Sequence, residues 1–378
     1  MNTKEITYIV KNYALEMGFD LVGITSDSNF QEEKQIALNR LQNGLMGGMP
    51  WYNENRIIRG SDPHKLLPNA HSIISVAISY FTEQPLNPSH TPKGKISRYA
   101  WGYDYHKVVE NRLQSFIQGL SEKLGIEVDS KIYVDTGPLQ DRAVAQRSGI
   151  GWYGKNTNIL TSSHGSWVFL AEVITNLQLE PDVPSKKTCG ACTICLDKCP
   201  TGAIIAPYVL DNERCISYLT IENRGSIPRS LRGLVGDWIF GCDICQDVCP
   251  VNRKAQATTE PAFRPGEHGY NSIELIPLLS LSLQEFNERF RNSPIYRAKR
   301  SGFLRNVCVA LGNIGDPKAL PALFNSLRDE DSLIRGHAAW AIGQIGGEAA
   351  LNALSESANR ETDQTVLQEI SLAIGESS

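Results

Sequence analysis

The chain has 378 residues, 41% apolar and 21% charged, an ordinary globular composition with room for two or three domains. Its formal charge of −4 excludes whole-molecule attraction to nucleic acid, so any such binding must use local basic patches. No apolar run approaches the length needed to cross a bilayer.

The first residues, Met-Asn-Thr-Lys-Glu-Ile, lack the charged-then-apolar layout of a secretory signal. A soluble, cytoplasmic protein without membrane contact is expected, and in a reducing compartment clustered cysteines serve as metal ligands rather than disulfides. Residues 3–18 place Ile6, Ile9, Val10, Tyr13, Ala14 and Met17 at helical spacing before Gly18. Strands are expected at 19–24 and 71–80, the second rich in Ile73, Ile74, Val76, Ala77 and Ile78. A long helix over 105–124 should bury Val109, Leu113, Phe116, Leu120 and Leu124. A short strand over 131–135 ends on Asp135, and another apolar strand covers 167–174. This mixture over 1–180 predicts one α/β or α+β domain.

Pro181 and Pro184 bracket the passage into a cysteine-rich region with little apolar periodicity, as when metal rather than core holds a segment together. Beyond 260 the chain repeats itself. Leu311-Gly312-Asn313-Ile314-Gly315 recurs as Ile342-Gly343-Gln344-Ile345-Gly346 and weakly as Ile374-Gly375. This period, with Arg305 and Arg335 opening the first two units, predicts stacked HEAT-type helix pairs.

Eight of the nine cysteines carry the strongest signal. Cys189, Cys192, Cys195 and Cys199, followed by Pro200, form the C-x2-C-x2-C-x3-C-P run of bacterial ferredoxins. Cys242, Cys245 and Cys249 with Pro250 repeat its last three positions; Ile239 stands where the first is due, and Cys215 is the candidate to replace it. The fourth cysteine of each run ligates the other cluster. Cys189, Cys192, Cys195 and Cys249 are therefore assigned to one [4Fe–4S] cluster, and Cys199, Cys215, Cys242 and Cys245 to the second. Paired C-x2-C spacings also suit structural zinc, but zinc sites do not need the Cys-Pro ending. Cys308, inside a repeat helix, reads as a small buried apolar residue.

A second dense segment runs VDTGPLQDRA from Val134 and GIGWYGKNT from Gly149. Alone, Asp135 at a strand end reads as a turn or cap residue. Together with the two cysteine runs and the repeated tail, these segments resemble the epoxyqueuosine reductase family over nearly the whole chain. The resemblance implies an α+β multidomain protein. Its parts would be a nitroreductase-like cobalamin-binding catalytic domain at 1–180, a two-cluster ferredoxin domain at 181–260, and HEAT-like helices at 261–378. It implies reduction of epoxyqueuosine to queuosine in the tRNA anticodon loop, with cobalamin fed by the clusters from an unidentified donor, in a monomer. Asp135 matches the family's proton donor, a role that requires desolvation to keep the acid protonated. Arg59, Ser97, Arg98, Gln140, Asn156, Ile159, Phe169, Leu170, Ser217 and Asp243 lie in segments matching its cofactor-facing motifs. There is no D-x-H-x-x-G corrinoid box, and His106 is expected to hydrogen-bond at a helix start.

Two stretches are basic with no intervening acid: Arg224, Arg229 and Arg232, and then Arg291, Arg297, Lys299, Arg300 and Arg305. Either alone reads as a solvated face; beside a tRNA-modifying site they are expected to contact phosphates. Tyr105, Tyr218 and Trp101 are the aromatic side chains offered for base stacking. A pure electron carrier and a corrinoid dehalogenase are the competing function classes; the long N-terminal domain counts against the first, the repeated tail against the second.

Overall fold

The structure, a computed structural model, describes residues 1–83, 91–265 and 272–377. Helix α1 (Thr3–Glu16) starts at a reciprocal capping box between Asn2 and Glu5. There follow β1 (Leu21–Ser26), α2 (Gln31–Gln42), α3 (Glu54–Gly60), β2 (Ser72–Ser79), β3 (Lys93–Ile96), α4 (Tyr105–Leu124), β4 (Ser130–Tyr133) and α5 (Asp141–Arg147). The short β5 (Trp152–Tyr153) and β6 (Ile159–Leu160) precede β7 (Val168–Thr175). The main sheet has the order β1-β2-β7-β4, antiparallel at every step. All of β2 is buried because both faces are covered. Ile74, Val76 and Ile78 join Val10 and Ala14 of α1 and Val109, Leu113 and Phe116 of α4. Ile73 turns the other way, against Phe30 and the α5 residues Ala143 and Val144. Helix α4 has the expected span and buries all five expected apolar positions.

The cysteine region holds α6 (Ile194–Asp197), β8 (Ile204–Ala206), β9 (Val209–Leu210), α7 (Ile216–Ile221), α8 (Arg229–Val235), β10 (Trp238–Phe240) and α9 (Ile244–Asp247). The single turns α6 and α9 are equivalent in the two cysteine runs and pack on each other. Strand β11 (Ser272–Glu274) then leads to α10 (Leu283–Phe290), α11 (Lys299–Ile314), α12 (Leu320–Ser326), α13 (Ser332–Ile345), α14 (Glu348–Ala358) and α15 (Gln364–Ser377).

The repeated glycines have a packing reason. A Cβ on Gly312 of α11 would lie 3.0 Å from Ala341 Cα on α13, and one on Gly343 would lie 3.0 Å from Ala373 Cα on α15. A Cβ on Gly375 meets nothing within 4 Å. Each repeated glycine thus admits the next helix, which is why the motif fades at the last unit.

Packing cuts across the expected boundaries at 180 and 260. One apolar core joins Ile96 and Trp101, Ile216, Leu219 and Phe240 of the cysteine region, and Phe286, Phe303, Cys308 and Ile342 of the helices. Strand β3 pairs with β10 on one side and β11 on the other. The insertion between Cys215 and Cys242 is thereby clamped between the sheet domain and α11.

Candidate active site and iron–sulfur centre

The eight cysteines border two separate cavities. Cys189, Cys192, Cys195 and Cys249 face a small one with Lys155, Asn156, Leu160, Ile194 and Pro250. Cys199, Cys215, Cys242 and Cys245 face the main cavity, of about 590 Å³, within the ~300–1,000 Å³ range of ligand pockets. This is the grouping that the crossing of the fourth cysteines predicts. Among the described residues no three His, Cys, Asp or Glu side chains converge on a single-ion site.

Asp135 borders the same cavity as the inner cysteines. Its backbone is left-handed, φ +57°, a conformation aspartate tolerates better than most residues. Helix α3 holds the loop: Arg56 donates to the carbonyls of Thr136, at 3.2 Å, and Gly137. Gly60 approaches so closely that a Cβ there would lie 1.7 Å from Pro138 O. Tyr105 Oη donates to Asp135 Oδ2 at 2.6 Å, and His106 Nε2 is 3.9 Å from the same oxygen. His106 Nδ1 lies 2.7 Å from Oδ1 of Asp104, the residue that caps α4. Burial, reinforced by the Asp135 charge, pushes the Tyr105 hydroxyl well above its ordinary range, so it stays a donor. Burial would raise the Asp104 carboxyl too, but the hydrogen bond and charge of His106 hold it below the usual range. The Asp135 side chain is 63% exposed. Protein burial alone does not provide the desolvation expected there; an occupant of the cavity would have to.

Behind Asp135, Asp141 borders the cavity and adjoins Glu172 on β7, which is fully buried. Burial, with the Asp135 charge adding, pushes Asp141 up to about 7. Burial and then the Asp141 charge push Glu172 well above the carboxylate range. Asp141 Oδ1 and Glu172 Oε2 find no other donor among the described residues; one proton held between the two carboxyls satisfies both.

Of the residues expected to face a cofactor, Ser97, Asn156, Ile159, Phe169, Leu170 and Ser217 line this cavity together with Asp135. Phe169 stacks on Tyr105 with centroids 4.1 Å apart and planes within 5°, giving a flat wall. Asn156 Nδ2 donates to Cys245 O at 3.3 Å, tying the wall to the inner cysteines. Arg59, Arg98, Gln140 and Asp243 do not border the cavity. Asp243 instead accepts from Ser97 Oγ at 2.5 Å and the Arg98 amide at 2.7 Å. Arg98 is sandwiched over Trp167, Trp101 and Phe81 and bonds Asp247. These two lock the cysteine region to the sheet domain. Gln140 donates to Ser61 Oγ at 2.9 Å, and Arg59 lies in the last turn of α3.

The basic stretches need correction. Arg305 is completely buried, its guanidinium spent on the carbonyls of Leu219, Asn223 and Gly225 and on Asn306. Arg232 is 1% exposed and bidentate to Glu369, so neither can reach RNA. Arg229 is paired with Glu369 and Glu376, and Arg300 with Asp329. Trp101 is core, its Nε1 donating to Ile96 O. Arg224, Arg297 and Lys299 are exposed. Arg297 is bidentate to Glu222, which lines the cavity mouth. Sequence reasoning missed Arg40, Trp51 and Arg142, which also line the cavity. Arg142 sat within the VDTGPLQDRA segment, whereas nothing around Arg40 or Trp51 signalled a site.

Three family models match the chain: "Epoxyqueuosine reductase QueG, DUF1730" over 61–136, "4Fe-4S double cluster binding domain" over 188–252, and "HEAT repeats" over 300–375. An epoxyqueuosine reductase of Bacillus cereus is 38% identical over 375 residues, covering 98% of this chain and 97% of that one. That of Escherichia coli K12 is 38% identical over 347 residues, covering 91% and 90%. Among solved structures, an epoxyqueuosine reductase with an epoxyqueuosine-modified tRNA-Tyr stem loop matches with TM-score 0.93 at 37% identity over 99% of both chains. A selenomethionine-labelled epoxyqueuosine reductase matches with TM-score 0.94 at 36% identity over 100% of both. With the paired cysteine cavities, the Asp135 loop and this full-length likeness, the chain belongs to the epoxyqueuosine reductase family.

Proposed function

We propose that this protein reduces epoxyqueuosine to queuosine at the wobble position of a tRNA anticodon loop in the cytoplasm, with two [4Fe–4S] clusters and cobalamin as its redox groups. The observation that carries this reading is one cavity bordered both by Asp135 and by Cys199, Cys215, Cys242 and Cys245, the cysteines assigned to the inner cluster. The residues present suit a corrinoid. The stacked Tyr105–Phe169 wall, with Ile159 and Leu170, offers a flat apolar face of the kind a macrocycle covers, and Ser97, Asn156 and Ser217 offer polar edges. Cobalamin, when bound, supplies a low-potential cobalt centre as the electron donor to the epoxide. All of these contacts except Ser217 belong to the N-terminal part of the chain, which we read as nitroreductase-like.

Removing an epoxide oxygen as water consumes two electrons and two protons. Asp135 suits the donation of the first proton to the oxygen as the C–O bond breaks. Tyr105 orients that carboxyl through its 2.6 Å bond. His106, held by Asp104, faces the same carboxyl and leads to solvent, a route for replacing the proton. A cavity filled by corrinoid and nucleoside would exclude water from the space around Asp135. Trp51, Arg40 and Arg142 at the walls suit a splayed nucleotide, and Arg224, Arg297 and Lys299 suit the flanking phosphates.

The test is anaerobic turnover: iron- and cobalamin-loaded protein with reductant converts epoxyqueuosine-containing tRNA, read by nucleoside mass spectrometry. Absence of conversion at full loading refutes the assignment. Asp135→Asn should bind cobalamin normally but lose roughly 10²-fold or more in turnover; undiminished turnover would place the donor elsewhere.

A further inference from the structure

The two cysteine sets are unequally placed for refilling from outside. The inner set borders the active-site cavity, while Cys189, Cys192, Cys195 and Cys249 border the separate small one. The segments carrying the outer set, 183–199 and 249–256, contain five cations: Lys186, Lys187, Lys198, Arg253 and Lys254. All five are exposed, and the one carboxylate among them is Asp197. The two segments form one face. Lys187 Nζ donates to Ser162 Oγ at 2.9 Å, and the Gln256 amide donates to the neighbouring Ser163 O at 3.1 Å. Lys155 reaches the same face, donating to Gly190 O at 2.7 Å. On the same two segments Ile194 borders the outer cavity and is exposed, and Val183 is 80% exposed. Exposed apolar side chains beside charged ones suit a protein interface. Here the charges are cationic in a chain whose total charge is −4.

We infer that this face is the docking surface for a small, acidic, one-electron carrier protein that reduces the outer cluster. In each encounter the carrier is oxidised by one electron and the outer [4Fe–4S] cluster is reduced by one; two encounters supply the electrons of one turnover. The inference rests on the clusters serving as the supply of the proposed reaction. RNA is the less suited occupant, because this face surrounds the outer cluster and not the cavity where the nucleoside must enter.

The experiment mixes iron-loaded, full-length protein anaerobically with pre-reduced flavodoxin and follows bleaching of the cluster absorbance by stopped flow. Lys186→Glu/Arg253→Glu/Lys254→Glu should slow this reduction at least about tenfold at low salt, and raising salt to about 0.5 M should slow the wild type comparably. A milder Gln triple should fall between. Reduction by methyl viologen radical cation, which added carboxylates do not repel, should be unimpaired in every variant, showing intact clusters. Flavodoxin rates within twofold of wild type overturn the proposal, as does competition by a tRNA stem loop. Viologen-driven turnover of tRNA tests the proposed reaction separately, since cluster bleaching reports docking whether or not tRNA is converted.

Discussion

Replacing Arg305 with methionine should weaken the fold, not the grip on RNA. The buried guanidinium donates to Leu219 O at 2.6 Å, Asn223 O at 2.9 Å and Gly225 O at 2.6 Å, gathering the bend between α7 and α8 onto α11. Burial, with repulsion from Arg224, pushes its pKa down to about 9, and its acceptors are carbonyls and an amide oxygen. Methionine fills much of the volume but donates nothing. At ~1 kcal/mol for each of three carbonyls deprived of this donor, about 3 kcal/mol is lost, and relief of the buried charge returns a fraction of that. A net cost of ~2–3 kcal/mol lowers the melting transition of the helical part by roughly 4–12 °C. The assay is anaerobic thermal unfolding of iron-loaded protein beside tRNA affinity measured at two salt concentrations. Arg297→Met, by contrast, should leave melting unchanged and flatten the salt dependence of tRNA binding. An Arg305→Met protein with wild-type melting and weakened, less salt-dependent tRNA binding would refute the structural role.

Cys215→Ser should reduce iron from about eight to about four atoms per chain by removing one ligand of the inner cluster, while Cys308→Ser keeps about eight; equal iron in both would dissolve the ligand assignment. Asp141 has a folded pKa of about 7 against an ordinary 3.8. Its contribution to stability is therefore full below about pH 4 and lost as pH rises through about 7. Asp141→Asn removes that loss, so its melting temperature relative to wild type should climb between about pH 5 and about pH 8; a pH-independent difference would show that the carboxyl is not strained. Gly60→Ala forces α3 away from Pro138 O and should cut turnover at least about tenfold through the Asp135 loop, with iron content intact; normal turnover would mean the loop is not positioned by α3.

Local patterns carried far where the determinant is itself local. The apolar stripe of α4 and the apolar run of β2 depend on residues a few positions apart, so both elements could be read directly. The glycines at 312 and 343 repeat because each helix must admit its neighbour at the same place. Helix α2 escaped notice because Ala37 is its only buried residue, leaving little apolar period to detect. The segment boundaries at 180 and 260 follow composition, but the core that joins Ile96, Phe240 and Phe303 follows contact.

The same division runs through the site. Cysteine spacing by itself pointed to two clusters and to electron handling, and suggested which ligands cross between them, because a cubane's corners must be met by thiolates a turn apart. Asp135 stood out only through its motif; its partners Tyr105 and His106, 30 and 29 residues earlier, meet it only because α4 begins beside the end of β4. The arginines mark the boundary most sharply. Arg305 and Arg297 look alike in sequence, yet one is sealed among carbonyls and the other stands at the cavity mouth. A charge pattern records that cations are present. Only folding of the 216–240 insertion over α11 decides which are consumed by backbone carbonyls and which remain at the surface.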